Sequence, residues 1–249
     1  MENRDSALNR AHWNRTSDEY QAAHGTQLAE HPMAWGVWSI PEDDLRVLGD
    51  VSDKQILELG CGGAQWSIAL TKRGAHCVGL DNSERQLERA RENQRAAAVE
   101  FPLVHGSAEN VPLPNDSFDI VFCDHGAMSF ADPLRTVPEA ARLLRSGGLL
   151  AFSAETPIHF ICWDDDADAI GTTLKSNYFE RRRAEDESSV CFSLPYGEWI
   201  ALFRNNGFVI ESLIELRPPP NAATSYRDFV TFDWASAWPA EQIWRVRRL

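Results

Sequence analysis

From residue 55 onward the chain alternates short apolar runs with stretches of helical period. Ile56-Leu57-Glu58-Leu59, His76 to Asp81, Val99 to His105, Phe118 to Cys123 and Leu149 to Ser153 are of strand length and largely apolar, the pattern of strands covered on both faces. Between them, Gln65 to Arg73 places Trp66, Ile68, Ala69 and Leu70 on one helical face. Ser83 followed by Glu84 opens a helix running to about Ala97, with a hydroxyl suited to capping the first free N–H groups. Pro133 to Arg145 predicts another helix, stopped by Ser146-Gly147-Gly148. Strand and helix in this rhythm predict a parallel sheet with helices on both sides.

The flanks read differently. Residues 6–30 are polar and alanine-containing, with Trp13, Tyr20 and Leu28 as anchors, and predict one or two helices packed onto something else. An aromatic loop, His31 to Trp38, precedes a short helix opened by Pro41. Beyond Glu155 the periodicity fades until Tyr196 to Asn206, a helix stopped by Gly207, then a strand from Phe208 to Leu216 and a terminal strand around Ile243 to Val246. The expected organisation is one domain over 1–249: an N-terminal helical lid at 1–50, a core at 51–155, an insertion at 156–195 and a C-terminal part of the sheet at 196–249. Insertions of this kind commonly cover ligand sites.

Composition narrows the partners. With 24 Lys+Arg against 37 Asp+Glu the net charge is −13, which argues against a polyanion such as nucleic acid, since binding one needs a basic face. The runs Arg181-Arg182-Arg183 and Arg245-Val246-Arg247-Arg248 read as solvated surface rather than phosphate sites. The 5 cysteines (Cys61, Cys77, Cys123, Cys162, Cys191) contain no C-x-x-C pair, and the start of the chain lacks an apolar core region. A reduced, cytoplasmic protein without a membrane span is the expectation.

The segment Glu58-Leu59-Gly60-Cys61-Gly62-Gly63-Ala64-Gln65-Trp66 carries the chemistry. An apolar strand ends in glycines that let the main chain turn sharply and approach a ligand closely. A second strand ends at Asp81, about 20 residues on, where a ribose-binding carboxylate belongs. The dinucleotide pattern G-x-G-x-x-G fails, because Gln65 holds the third glycine position. Glu58 is also unsuited to a pyrophosphate and well suited to a ligand with an ammonium group.

In this form the segment resembles the first motif of class I S-adenosylmethionine-dependent methyltransferases. Gly79-Leu80-Asp81-Asn82-Ser83, Gly106 to Asp119 and Glu139 to Gly148 follow as further matches in order, similar to the small-molecule branch that includes ubiquinone-type enzymes. The resemblance implies an α/β, Rossmann-like, seven-stranded and mostly parallel sheet with helices on both faces. It also implies S-adenosyl-L-methionine as cofactor and S-adenosyl-L-homocysteine as product. By position, Glu58 would face the methionine amino group above Gly60 and Gly62, and Asp81 would accept both ribose hydroxyls. Asn82 and Gln86 would lie near the adenine, Ala108 would offer its backbone N–H to the ring with Ser107 and Glu109 beside it, and Asp124 would face the methionine end. Tyr20 lies in the segment that folds over the cofactor in similar proteins. Two departures stand out: Ala64 where a glycine is usual, and Ser107 where an acid often stands.

The sulfonium is already activated, so alignment and exclusion of water are the main demands on the protein. A base is required where the acceptor must lose a proton, and His125, after the fourth strand, is the first candidate, with His24, His31 and His159 as alternatives. Trp13, Tyr20, Trp35, Trp38 and Trp163 supply aromatic surface for a planar or cationic acceptor, or pin the lid to the core. Asp164-Asp165-Asp166 either selects a basic acceptor or is a solvated loop, and it lacks calcium-loop spacing. The expectation is in-line methyl transfer to a small aromatic or amine acceptor, with no metal, by a monomer or a homodimer joined through aromatic residues Trp234, Trp238 and Trp244. A regulatory protein that keeps the pocket without transferring methyl, and an NAD-dependent oxidoreductase, are the alternatives.

Overall fold

The computed structural model describes residues 3–186 and 188–249. Its centre is a 7-stranded sheet of β1 (Gln55–Leu59), β2 (His76–Asp81), β3 (Leu103–His105), β4 (Phe118–Asp124), β5 (Leu144–Glu155), β6 (Phe208–Glu215) and β7 (Glu241–Arg248). The spatial order is β3-β2-β1-β4-β5-β7-β6. Strands β1 to β5 run parallel, and β7 is antiparallel to both β5 and β6. The chain leaves β1 toward β2 and later returns to place β4 on its other side. The carboxyl ends of β1 and β4 therefore flank the crevice where ligands bind in sheets of this type.

Alternation along the strands builds two cores, because successive side chains point to opposite faces. Ile56, Ile120, Phe122, Leu149 and Ala151 join Trp66, Leu70, Leu87 and Ala90 on one face. These last come from α2 (Gln65–Lys72) and α3 (Glu84–Ala97). Leu57, Val121, Cys123, Leu150 and Phe152 face the other way, onto Val137, Ala140 and Leu143 of α5 (Pro133–Leu143) and Trp199 and Phe203 of α7 (Tyr196–Asn205). Caps set the starts: Ser83 accepts from Gln86 N–H in α3, and Asp132 accepts from Leu134 N–H ahead of Pro133 in α5.

Several expectations change. The helix at 133–145 ends at Leu143, without a glycine stop; Leu144 is fully buried and extended, and pairs with Phe118 as the first residue of β5. Burial of Leu144 against the sheet outweighs its helical propensity, and Gly147 (φ +77°) serves a turn within the strand's irregular start. The third strand covers only Leu103–His105, since Val99 N–H still closes the preceding helix on Gln94. The C-terminal tryptophans are not an exposed set: Trp244 packs with Trp199 and Phe203 in the core and Trp234 is buried, leaving Trp238 exposed.

The N-terminal lid is one helix, α1 (Arg4–Glu30), opened by Asn3 accepting from Ser6 N–H. It is tied down mainly by polar links. Asn9 donates to Phe130 O (2.6 Å) and Val190 O (2.8 Å) and accepts from Val190 N–H. Arg85 clamps Asp18, and Arg183 clamps Asp5. The insertion holds α6 (Pro157–Cys162) and the short pairs Trp163–Asp164 with Ala169–Ile170 and Arg183–Glu185 with Val190–Phe192. Each arginine of the triplet has an acid partner: Asp165 for Arg181, Glu198 for Arg182, and Asp5 and Glu185 for Arg183. Asp164 likewise pairs with Lys175. The acidic run is thus a surface loop held by ion pairs, and no helix of the described chain is long and apolar enough to cross a membrane.

Candidate active site

A cavity of about 350 Å³ opens at the carboxyl ends of β1, β2, β4 and β5 beneath α1. Its floor is the glycine turn. Gly60 (φ +73°) and Gly62 (φ +51°) both take the left-handed conformation, and Ala64 takes it too at φ +58°. The alanine substitution therefore keeps the turn, at a cost of about 1–2 kcal/mol for a side chain in that region. The turn is fastened by Gly60 and Cys61 N–H groups on Leu80 O and by Ala64 N–H on Cys61 O. A side chain at Gly62 would meet only Gln86 Oε1, at 3.9 Å, so the main chain there faces open space.

Glu58 lies buried at the end of β1, accepting from Ser67 N–H (3.1 Å) and from the Ser67 hydroxyl (2.5 Å). Burial raises its carboxyl to about 8 against those bonds, and the charges of Asp124 and Asp81 push the same way. Asp81 is also buried, with Oδ2 accepting from Gly62 N–H and Oδ1 from Ser83 N–H, both at 2.8 Å. Burial lifts its carboxyl above the ordinary range despite these donors. The two acids and the turn thus form one unit, with Asp81 holding the turn and facing the cavity.

The structure brings Tyr20, Glu58, Gly60, Gly62, Asp81, Asn82, Gln86, Ser107, Ala108, Asp124 and His125 to this cavity. Gln86 Oε1 is buried there without a hydrogen-bond partner among the described residues, an acceptor left for a ligand's donor. Asn82 donates through Nδ2 to Ser6 O (3.0 Å), fastening the lid over this end. Glu109 is the exception. It stands outside the lining, because its carboxylate accepts from Asp132 N–H and from Asn3 Nδ2 and so braces α1 and α5 from behind.

Asp124 and His125 end β4. Asp124 Oδ1 accepts from Gly36 N–H (3.0 Å) and the Ser153 hydroxyl (2.5 Å). His125 has φ +56°, with its N–H on Ser153 Oγ, and its Nε2 lies 2.6 Å from Glu241 Oε1. Burial disfavours its charged form, but the hydrogen bond and charge of Glu241, with Asp124 and Glu155, outweigh this and lift it to about 9. The expectation of a histidine titrating near neutrality is corrected by this partner: at neutral pH His125 is an imidazolium held by a carboxylate. Glu241, which is 1% exposed and separated from His125 by more than a hundred residues, gave no local signal in the sequence.

The rest of the lining was also only partly legible. No described residue of 156–195 lines the cavity; the walls are Trp13 and Tyr20 of α1, the 31–39 loop, Glu155, Tyr226 and Phe229. Tyr20 and Tyr226 share a hydroxyl contact of 2.7 Å, and His24 stacks on Tyr226 at 3.9 Å. Burial holds the Tyr20 phenol neutral, at about 12. His31 lines the cavity mouth, whereas His159 is buried behind Phe229. Trp35 and Trp38 are buried, Trp35 donating to Glu42 Oε2, so both pin the loop to the core.

Strand order, glycine turn and the Glu58–Asp81 pair define a Rossmann-like fold of the class I methyltransferase kind. Residues 57–152 match the family model described as "Methyltransferase domain". A demethylmenaquinone methyltransferase of Listeria welshimeri is 36% identical over 100 residues, 39% of this chain and 42% of that protein. One from Staphylococcus haemolyticus is 40% identical over 97 residues, 38% of this chain and 40% of that protein. The chain thus matches less than half the length of these relatives. Among solved structures, an S-adenosylmethionine-dependent methyltransferase from Mesorhizobium loti superposes with a TM-score of 0.66 at 24% identity, over 83% of this chain and 96% of that one.

Proposed function

We propose that the protein transfers the methyl group of S-adenosylmethionine to a small-molecule acceptor by in-line displacement. The observation that carries this is the buried Glu58 beside the bare turn at Gly60 and Gly62, with Asp81 one strand away. A carboxyl that is costly to ionise alone is stabilised when an ammonium group is placed against it. The cofactor supplies an electrophilic methyl group on sulfur. The chain's residues hold and orient it: Glu58 for the amino group, Asp81 for the ribose diol, Gln86 Oε1 for a donor, and Ala108 at the adenine end. Helix α1 and the 31–39 loop exclude water. Calorimetry tests the reading: S-adenosylhomocysteine binds and NAD does not, whereas heat with NAD alone overturns it.

The state of Glu58 gives this binding a pH signature. Its folded-state value of about 8 lies above the ordinary carboxyl value. The free protein therefore holds a proton that the unfolded chain releases, and Glu58 lowers stability progressively as pH rises toward 8. A ligand ammonium requires the ionised form, so binding expels that proton. Affinity for S-adenosylhomocysteine is expected to rise by up to about tenfold per pH unit below 8 and then level off. Calorimetry in buffers of different ionisation enthalpy reads the released proton directly, and an affinity flat with pH would count against the assignment.

A further inference from the structure

The acceptor end has a chemistry of its own. Glu155 closes β5 two residues beyond Ser153, whose hydroxyl holds Asp124. Two residues along a strand is about 6.6 Å on the same face, so Glu155 stands one step further out than the methionine end. Its Oε2 lies 3.3 Å from His159 Nδ1, while its Oε1 accepts no hydrogen bond among the described residues and the side chain lines the cavity. Burial opposes its ionisation, but the His159 contact, with the charges of His159, His125 and Arg181, brings it below the ordinary carboxyl range.

Aromatic rings line the same cavity as this carboxylate. Phe229 stacks on His159 at 4.5 Å and meets His125 edge-on at 5.8 Å. Tyr226 and Trp13 complete the wall, with Trp13 edge-on to Tyr20 at 5.4 Å. Asp124 and Glu241 stand with Glu155 around His125, so carboxylates predominate beside that ring. A free carboxylate oxygen in a cavity lined by aromatic rings recognises an ammonium group, through an ion pair and cation–π contact. It repels a phenolate or a carboxylate at the same place.

We propose that the acceptor is a small primary or secondary amine bearing an aromatic group, its nitrogen held by Glu155 Oε1 among Phe229, Tyr226 and Trp13. The proposal rests on the methyl-transfer reading above and names its acceptor. In the reaction the ammonium gives one proton to Glu155, which passes it to water. The nitrogen lone pair then forms the N–CH₃ bond as the C–S bond breaks, the bonding pair remains on sulfur, and the product is a methylated ammonium. Glu155 is a catalytic residue in this scheme, and His159 and Phe229 are positioning residues.

Binding separates the two readings. With S-adenosylhomocysteine saturating, the wild-type protein is titrated with 2-phenylethylamine, 2-phenylethanol and 3-phenylpropionate and followed by tryptophan fluorescence. The amine is expected to bind about tenfold or more tightly than the alcohol, with the acid weakest. Glu155→Gln is expected to erase the preference for amine over alcohol while leaving the S-adenosylhomocysteine affinity unchanged. Equal or tighter binding of the alcohol or the acid by the wild type, or no measurable amine binding, overturns the amine assignment without touching the cofactor reading. So does a preference that survives in Glu155→Gln. Failure to bind S-adenosylhomocysteine overturns the cofactor reading instead. The wild-type comparison stands even if Glu155→Gln folds poorly.

Discussion

Asp81→Ala is expected to weaken binding of S-adenosylhomocysteine by well over tenfold. Two effects combine. In the proposed site the carboxylate would make charge-assisted hydrogen bonds to a ribose diol, each worth about 1.5–3 kcal/mol. The same carboxylate accepts from Gly62 and Ser83 N–H groups, so its removal also leaves two donors at the turn and at the start of α3 to find water. Titration calorimetry measures the first effect, and thermal melting without ligand measures the second. Their comparison is informative: a loss of affinity much larger than the loss of stability places Asp81 on the ligand. Binding equal to wild type would remove it from the site.

The second large effect is on the fold. Gly60→Ala is expected to destabilise the protein by about 3 kcal/mol or more. The residue sits at φ +73°, and a Cβ there would lie 2.5 Å from Ala127 N and 3.1 Å from Gly126 Cα. Both obstacles are backbone, so no rotamer change relieves them, and the turn and the 126–130 helix must separate. In a chain of this length that corresponds to a fall in melting temperature of roughly 10 °C. Gly62→Ala provides the contrast, since its nearest neighbour is the flexible end of Gln86 at 3.9 Å. That variant carries the cost of the left-handed backbone alone. Equal melting temperatures for the two variants would show that the backbone contact at Gly60 is not what the position requires.

The sequence made the core legible because its signals are local. Strands β1, β2 and β4 are apolar runs with sharp ends, and Glu58, Gly60, Gly62 and Asp81 lie at those ends, so placing the strands placed these residues at one cavity. What escaped depends on contacts distant in sequence. Glu241 meets His125 only because β7 enters the sheet antiparallel beside β5, and nothing near either residue announces the pair. Glu109 sits one position from Ala108 yet faces away, since Asp132 N–H and Asn3 take its carboxylate. Leu144 left its helix for the sheet because burial there outweighs the propensity that a local reading measures. Tyr226 and Phe229 come from a segment without periodicity, so the cavity wall they form had no pattern to be read from. The glycine pair at 147–148 was misleading for a related reason: glycine marks a turn without saying which element it interrupts.

The lid closes the cavity with a helix whose grip is largely ionic and polar: Asp18 on Arg85, Asp5 on Arg183, Ser6 on Asn82, Asn9 on the backbone of Phe130 and Val190. Lifting such a helix exchanges these links for water and uncovers Leu8, Trp13, Tyr20 and Leu28. Its opening therefore responds to ionic strength. The core below, held by buried Leu, Phe and Trp, responds to temperature and denaturant instead. Entry to the cavity and integrity of the fold are thus governed by different solvent variables, and traffic through the gate can vary while the catalytic floor stays fixed.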